Sequence, residues 1–289
     1  MAERSVSRRV LDMQAIEMPI PEGDVGGEQT VEDKLPACFS TGTESLLQVT
    51  DLFKSYRLGQ RSLPVLEGLS LDVKIGELVV IMGPSGSGKS TLLNCLSAID
   101  VPDAGSVSLA GTLVDYDSEK ARTALRRERV GIVFQFFNLI PTLSVRENIL
   151  LPLMIRGKVK CEDRERADQL LIQIGLESRG DHLPSQLSGG EMQLTSIARA
   201  LIHGPELLLA DEPTGNVNPR IAEDILETLA GAAKARGVAI LMVTHSAEHA
   251  AWADRVCFLK DGQIAAVLRQ GRRRDQVALI HDYLANLAI

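Results

Sequence analysis

Aromatic side chains are few: six Phe, three Tyr and one Trp make up 3% of the 289 residues. A stacking platform for single-stranded nucleic acid needs more of them. A basic excess is also missing, since the formal net charge is -7 at pH 7. Binding held by phosphate-backbone contacts is therefore not expected, and nucleic acid is not an expected partner. The four cysteines, Cys38, Cys95, Cys161 and Cys257, stand far apart with no CxxC pair. Reduced thiols in a cytoplasmic protein are expected. No apolar run approaches the ~18 residues that span a bilayer; stretches such as ILLPLMI at 149–155 suit buried elements. The N-terminus lacks an apolar secretory segment, and LPAC at 35–38, which loosely resembles a lipoprotein cleavage box, has nothing greasy before it. What is present is ordinary for a globular protein, with 45% hydrophobic and 24% charged residues. The length suits one large domain or two small ones.

Residues 1 to about 44 differ from the rest, with nine acids against four bases, so about five of the seven net negative charges lie there. The Pro-, Gly- and acid-rich stretch PIPEGDVGGEQTVED favours an unfolded extension. Before it, Val6, Val10 and Met13 fall at i, i+4 and i+7, a candidate short amphipathic helix for docking on a partner or membrane. At the other end RQGRRRD, 269–275, is a small basic cluster. It reads as a solvated linker before a final helix, DQVALIHDYLANL; contact with anionic lipid headgroups is the alternative.

From Leu46 onward strands and helices alternate. LLQV, PVLEGLSLDV, ELVVIMG and GSVSLAG are strand-like and bounded by turn residues. SEKARTALRRER reads as a helix and GIVFQ as a strand. Between Ser144 and Gly175 two helical stretches follow, SVRENILLPLMIRG and EDRERADQLLIQIG, with little strand signal. Then come a helix (GGEMQLTSIARALIH), a strand (ELLLADEP), a helix (PRIAEDILETLAGAAKARG) and a strand (VAILMVTH). The near-continuous apolar strands LLLA and AILMV imply a parallel sheet covered on both faces. The all-helical middle reads as an inserted subdomain.

The nine residues GPSGSGKST, 83–91, fit G-x-x-x-x-G-K-[ST] with a strand before and a helix after. Gly83, Gly86 and Gly88 let the backbone wrap tightly, with Pro84, Ser85 and Ser87 between them. The free N–H groups at the helix start form an anion nest, where the helix dipole also favours negative charge. Lys89 is placed to reach the β- and γ-phosphates of a nucleotide, and the Ser90 hydroxyl, followed by Thr91, suits Mg²⁺. LLLADEP places Asp211 and Glu212 at the carboxyl end of a strand, on the same crevice as the loop. Asp211 would hold Mg²⁺ through water, and Glu212 would polarise an attacking water as general base. LSGGEMQ, 187–193, opens a second helix with Ser188, Gly189 and Gly190, and so makes another anion site. Both anion sites serve one nucleotide only if two protomers meet head to tail.

The ordered set GPSGSGKST, Gln135 in VFQFFN, LSGGEMQ, LLLADEP, the GNVN turn at 215 and His245 in VTHS resembles the nucleotide-binding subunits of ABC transporters. The likeness covers about residues 46–267. It implies an α/β fold: a P-loop NTPase core with a parallel sheet, a small antiparallel β subdomain and an inserted α-helical signature subdomain. The boundaries expected are an extension over 1–44, an ATPase domain over 45–267 with its helical part at about 138–190, and a C-terminal linker and helix over 268–289. By resemblance Tyr56 stacks on adenine, and Gln135 links Mg²⁺ and the attacking water to the helical part. His245 contacts the γ-phosphate, and Ser188, Gly189 and Gly190 clasp the partner's γ-phosphate. The stretch after Gln135 would carry a groove for a helix of a separate membrane permease. FQFFNLIPTLSVRENILLPL together with DEPTGN is similar to the subgroup serving lipoprotein release, macrolide export and cell division.

Two residues depart from the family's pattern: Leu194 stands where Arg usually follows the signature glutamine, and Asn218 where an Asp usually lies. Asn keeps the shape and one acceptor but loses the charge. It precedes Pro219, so it remains a good N-cap, and any effect falls on communication between the two sites. The leading expectation is an ATPase using ATP and Mg²⁺ at a membrane permease. The competitors are an ATP-gated clamp with weak hydrolysis and a soluble ABC protein of DNA repair or translation. The latter would carry long coiled-coil insertions or a second cassette, neither of which is present.

Overall fold

The computed structural model describes residues 45–59, 61–269 and 276–287. The N-terminal extension, its candidate helix through Val6, Val10 and Met13, Cys38 and most of the basic cluster at 269–275 lie outside the described residues.

The first sheet is antiparallel. β1 (Ser45–Leu58) and β2 (Arg61–Lys74) form a long hairpin. β4 (Ala104–Leu109) and β5 (Thr112–Leu113) complete it in the order β2-β1-β4-β5. The second sheet has the order β10-β9-β3-β8-β7-β6. Its strands β3 (Leu78–Met82), β6 (Val130–Val133), β7 (Leu207–Asp211), β8 (Ala239–Val243) and β9 (Arg255–Lys260) run parallel. Only β10 (Gln263–Arg269) is antiparallel, as a hairpin edge on β9.

The apolar runs LVVIM and AILMV are buried along their whole length. Alternate residues explain this. Leu78, Val80 and Met82 join one core with Ile240 and Met242. Val79 and Ile81 join a second core with Leu241 and Val243 on the opposite face. A strand covered on both faces needs apolar residues at every position, which removes the usual alternation.

The helices are α1 (Lys89–Leu96), α2 (Glu119–Glu128), α3 (Val145–Arg156), α4 (Cys161–Gln173), α5 (Gly189–Leu201), α6 (Pro219–Arg236), α7 (Ala247–Ala250) and α8 (Val277–Asn286). Their starts are written locally. Ser144 and Glu147 cap α3 reciprocally, as Ser188 and Glu191 cap α5. Asn218 caps α6 by accepting from Ile221 N at 3.0 Å, with Pro219 at the first helical position. Leu194 sits on α5 and is buried in the core shared with α3, so the leucine fits where it stands. The helices α3 and α4 precede α5 with two short 3₁₀ turns between. Asn148, fully buried in α3, accepts from Ile140 N and donates to the carbonyls of Ile140, Leu143 and Ser144. One amide thus pins the stretch that follows Gln135.

Cys95, Cys161 and Cys257 form no disulfide among the described residues. Burial pushes Cys95 up to about 12, so it stays protonated and inert at neutral pH.

Candidate functional site

The carboxyl ends of β3, β7 and β8 open on one side of the parallel sheet. β3 runs into the loop 83–88, and α1 begins at Lys89 behind Gly88, whose φ is 104°. Gly86 is also left-handed, at φ 83°, a region that glycine enters without strain. A Cβ on Gly83 would meet the Leu259 carbonyl oxygen at 2.2 Å, so close packing of the loop on β9 requires glycine there.

A cleft of about 430 Å³ lies above this loop. Ser85, Gly86, Gly88, Lys89, Ser90, Thr91, Gln135, Asp211, Glu212 and His245 all line it, with Val65 and Val243 beside them. Residues separated by more than 150 positions in sequence therefore meet in one space. Gly83, Pro84 and Ser87 belong to the loop but are not among the lining residues. Lys89 Nζ donates to the carbonyls of Gly83 (2.9 Å) and Pro84 (2.8 Å), which folds its ammonium over the loop. Burial lowers the Lys89 pKa, while Glu212 and Asp211 pull it back up. Burial also raises Asp211, helped by the neighbouring Glu212 and opposed by a hydrogen bond from Ser90 and the charge of Lys89. Both ions are thus taken partly out of water in a crowded cluster.

Glu212 follows β7 with φ 47°, a strained backbone for a residue with a Cβ. Its N–H donates to Val243 O (3.0 Å) and its carbonyl accepts from Gly215 N (3.0 Å), so both sides of the strained unit are tied down. The carboxylate meets His245 Nδ1 at 2.9 Å from Oε1 and 2.8 Å from Oε2. The Glu212 side chain is 16% exposed and that of His245 74%. The acid is therefore set inside the cleft and the histidine at its mouth.

Magnesium fits these residues. Ser90 and Asp211 offer a hydroxyl and a carboxylate oxygen already hydrogen-bonded to each other, at a place where burial makes the bare carboxylate unfavourable. A hard cation that keeps its waters and borrows phosphate oxygens needs no larger protein cage.

Tyr56 is not among the lining residues. Its hydroxyl donates to Asp100 Oδ2 at 2.7 Å, and the Lys54 ammonium lies 5.2 Å from its ring centre. Ser188, Gly189 and Gly190 also lie outside the cleft lining. Ser188 Oγ accepts from Glu191 N and donates to Glu191 Oε2 at 2.8 Å, closing the start of α5. Gly190 has a packing reason as well, because a Cβ there would land 2.4 Å from Ile221 Cγ2 on α6.

The likeness to known proteins is broad. A family model described as ABC transporter matches residues 66–215. The lipoprotein-releasing system ATP-binding protein LolD 2 of Caulobacter vibrioides is 45% identical over 77% of this chain and 97% of its own. The chain belongs to the ABC transporter family. The uncharacterized ABC transporter ATP-binding protein YbbA of Escherichia coli is also 45% identical, over 76% of this chain and 97% of its own. A dimeric, post-hydrolysis structure of the ATP-binding cassette MJ0796, bound to ADP and Pi, superposes with a TM-score of 0.72 at 37% identity. It covers 78% of this chain and 99% of that one. This ABC chain is an ATP-binding subunit and an ATPase, with the fold expected of it.

Several contacts of the ABC site were not legible in its motifs. Asn216 Nδ2 donates to the Gln135 carbonyl at 3.0 Å, joining the turn after Glu212 to the glutamine loop. Arg199 of α5 donates to Phe137 O (3.0 Å) and Asn138 O (2.6 Å) in that same loop. Thr214 Oγ1 lies 2.9 Å from His249 Nδ1. Each joins segments at least 35 residues apart, and none leaves a local signal.

Proposed function

We propose that this chain hydrolyses ATP as one half of a head-to-tail dimer and drives a separate membrane permease. The observation that carries the reading is the single cleft gathering Lys89, Ser90, Asp211, Glu212, Gln135 and His245 while Ser188–Gly190 lie outside it. The second anion site then faces the phosphates of a partner protomer, most simply another copy. The loop amides and Lys89 hold the phosphates, and Ser90, Asp211 and Gln135 would hold Mg²⁺. Bound there, a divalent cation would supply charge neutralisation for the transferred phosphoryl group. Glu212 takes the proton of the attacking water. His245, steered by Glu212, donates toward the γ-phosphate. Tyr56 supports the adenine, next to Thr91 on α1.

The permease would dock in a groove of about 370 Å³ whose lining includes Arg126, Ile132, Leu151, Pro152, Ile155 and Arg199. Ile155 is 70% exposed there. Arg199 reaches from this groove to the carbonyls of Phe137 and Asn138, two and three residues beyond Gln135. A helix seated in the groove would shift that arginine and, through it, the glutamine in the cleft. Among the described residues no helix is long and apolar enough to cross a membrane; the spanning part is assigned to the permease. The chain then works at the cytoplasmic face of the inner membrane. Relatives named for lipoprotein release and for macrolide export support a permease that serves export, lipoprotein release or mechanotransmission. Ile155→Glu is expected to lower permease-stimulated turnover by about tenfold, a cost on the order of 1.4 kcal/mol in coupling. Undiminished stimulation of the variant would remove the groove from the docking surface.

Asn218 enters here as a tuning residue. Asn218→Asp should leave the α6 cap and the melting temperature unchanged, because the two residues cap alike. It should strengthen coupling across the dimer by ~1 kcal/mol through a charge-assisted bond. The check is the Hill coefficient for ATP, which should rise; an unchanged coefficient means that residue 218 does not carry the coupling. A clamp with weak hydrolysis predicts ATP-driven dimers without turnover, with or without permease.

A further inference from the structure

Two histidines follow β8 four residues apart, and they grip two residues of one turn. His245 holds the Glu212 carboxylate at 2.8–2.9 Å. His249, on α7, places Nδ1 2.9 Å from the Thr214 hydroxyl. Thr214 is 4% exposed, a buried hydroxyl that needs a partner. His249 is itself tied at its main chain: its backbone N–H donates to Ser246 Oγ (3.2 Å), and that hydroxyl donates to Glu248 Oε2 (2.7 Å). The turn between them begins at the left-handed Glu212, closes with Gly215 N on the Glu212 carbonyl, and runs on to the Asn218 cap. The motif reading uses His245 and leaves His249 without a task.

We propose that His249 is a positioning residue of the ATPase: by holding Thr214 it fixes the turn that aims Glu212. A neutral ring with its proton on Nε2 accepts the Thr214 hydroxyl at Nδ1. A doubly protonated ring donates from Nδ1 to the same hydroxyl oxygen, so the contact is kept, but it adds a positive charge near the base. The groups facing it are Glu248 on its own helix, His245 beyond β8, and Glu212 in the turn, with His281 of α8 acting on Glu248. Burial lowers the His249 pKa, Glu248 and Glu212 raise it, and His245 lowers it, with a net shift downward. The ring is therefore neutral at pH 7, and its positive charge beside the base appears only on the acid side of the ordinary histidine range.

The inference rests on Glu212 as the general base, and the test separates the two. Steady-state ATPase of the full chain is measured from pH 5.5 to 8 for wild type, His249→Leu, His249→Asn and Thr214→Val. His249→Leu should lower kcat about fivefold, the value of one neutral hydrogen bond, with KM for MgATP within about twofold. His249→Asn, which keeps an acceptor without a titrating ring, should restore most of kcat. It should also lose the extra fall in rate expected of wild type on the acid side of the ordinary histidine range. Thr214→Val should match His249→Leu, and the double variant should be no worse than either single one. Equal losses in His249→Leu and His249→Asn at every pH, or additive losses with Thr214→Val, would overturn the clamp. So would an unchanged kcat in His249→Leu. Should that variant not fold, Thr214→Val against His249→Asn gives the same decision. A failed general-base reading would show instead as retained turnover in Glu212→Gln, with the threonine–histidine coupling untouched.

Discussion

Glu212→Gln is expected to lower ATP turnover by about 10²–10⁴-fold, the span a positioned general base contributes. The expectation comes from how little else the substitution disturbs. Glutamine has the size of glutamate and keeps an oxygen toward His245 Nδ1, which lies 2.8–2.9 Å from the native carboxylate. The strained backbone, at φ 47°, stays held by Val243 O and Gly215 N, since those bonds belong to the main chain. What is lost is the basicity of a carboxylate set mostly out of water. With nucleotide binding assigned to the loop amides, Lys89 and Ser90 in the proposed reading, the Kd for ATP should stay within about threefold of wild type. With binding kept and hydrolysis gone, MgATP should drive the variant into a stable dimer on size exclusion. Turnover within tenfold of wild type would show that another group takes the proton.

Asp211→Asn provides the contrast. Asp211 shares a hydrogen bond with Ser90 and is raised chiefly by burial. Its amide variant removes the negative charge a divalent cation needs. Loss there should appear first as a higher Mg²⁺ requirement, and the dimer on ATP should fail together with turnover. In the proposed reading one of the two adjacent acids acts on binding and the other on the chemical step, so these measurements should separate them.

The phosphate loop and the acids after the apolar strand were legible because their chemistry is contiguous. A nest of amides needs successive residues, and a strand buried on both faces writes itself as LLLA or AILMV. The β9–β10 hairpin went unread although Asp261-Gly262 stands between two apolar runs. Both residues are left-handed, at φ 47° and 74°, as a tight hairpin turn requires. β1 was read as LLQV alone, because its alternation breaks at register shifts between Val49 and Leu52 and again beside Phe53. Gly190 was read only as an anion site, whereas α6 also needs its missing Cβ. The Arg199, Asn216 and His249 contacts were hidden for another reason. Such pairings exist only once β7, β8 and α5 have packed, and no pattern within 20 residues encodes them.

Arg255 carries the largest stability prediction, and it too was silent in the sequence. It is 2% exposed on β9, and it binds Glu77 through two bonds of 2.9 and 3.0 Å and Asp72 Oδ1 at 3.2 Å. Asp72 belongs to β2 of the antiparallel sheet and is 1% exposed. The guanidinium therefore joins the two sheets. Removing it strands a buried carboxylate, a loss worth ~3–5 kcal/mol. At roughly 2–4 °C per kcal/mol for a chain of this size, Arg255→Leu should melt about 10 °C lower. Glu77 suffers less, since it still accepts from Lys74 N at 2.8 Å and its side chain is 14% exposed. Adding Asp72→Leu should return most of the lost stability, because a buried ion pair is replaceable by apolar packing while a lone ion is not. Circular dichroism melts of both variants decide it: a single variant within about 3 °C of wild type, or a double variant no better than the single, removes the stranded charge as the cause. Leu259, four residues along β9, presents the carbonyl against which Gly83 packs. Loosening Arg255 should therefore also weaken ATP binding at temperatures where the chain is still folded.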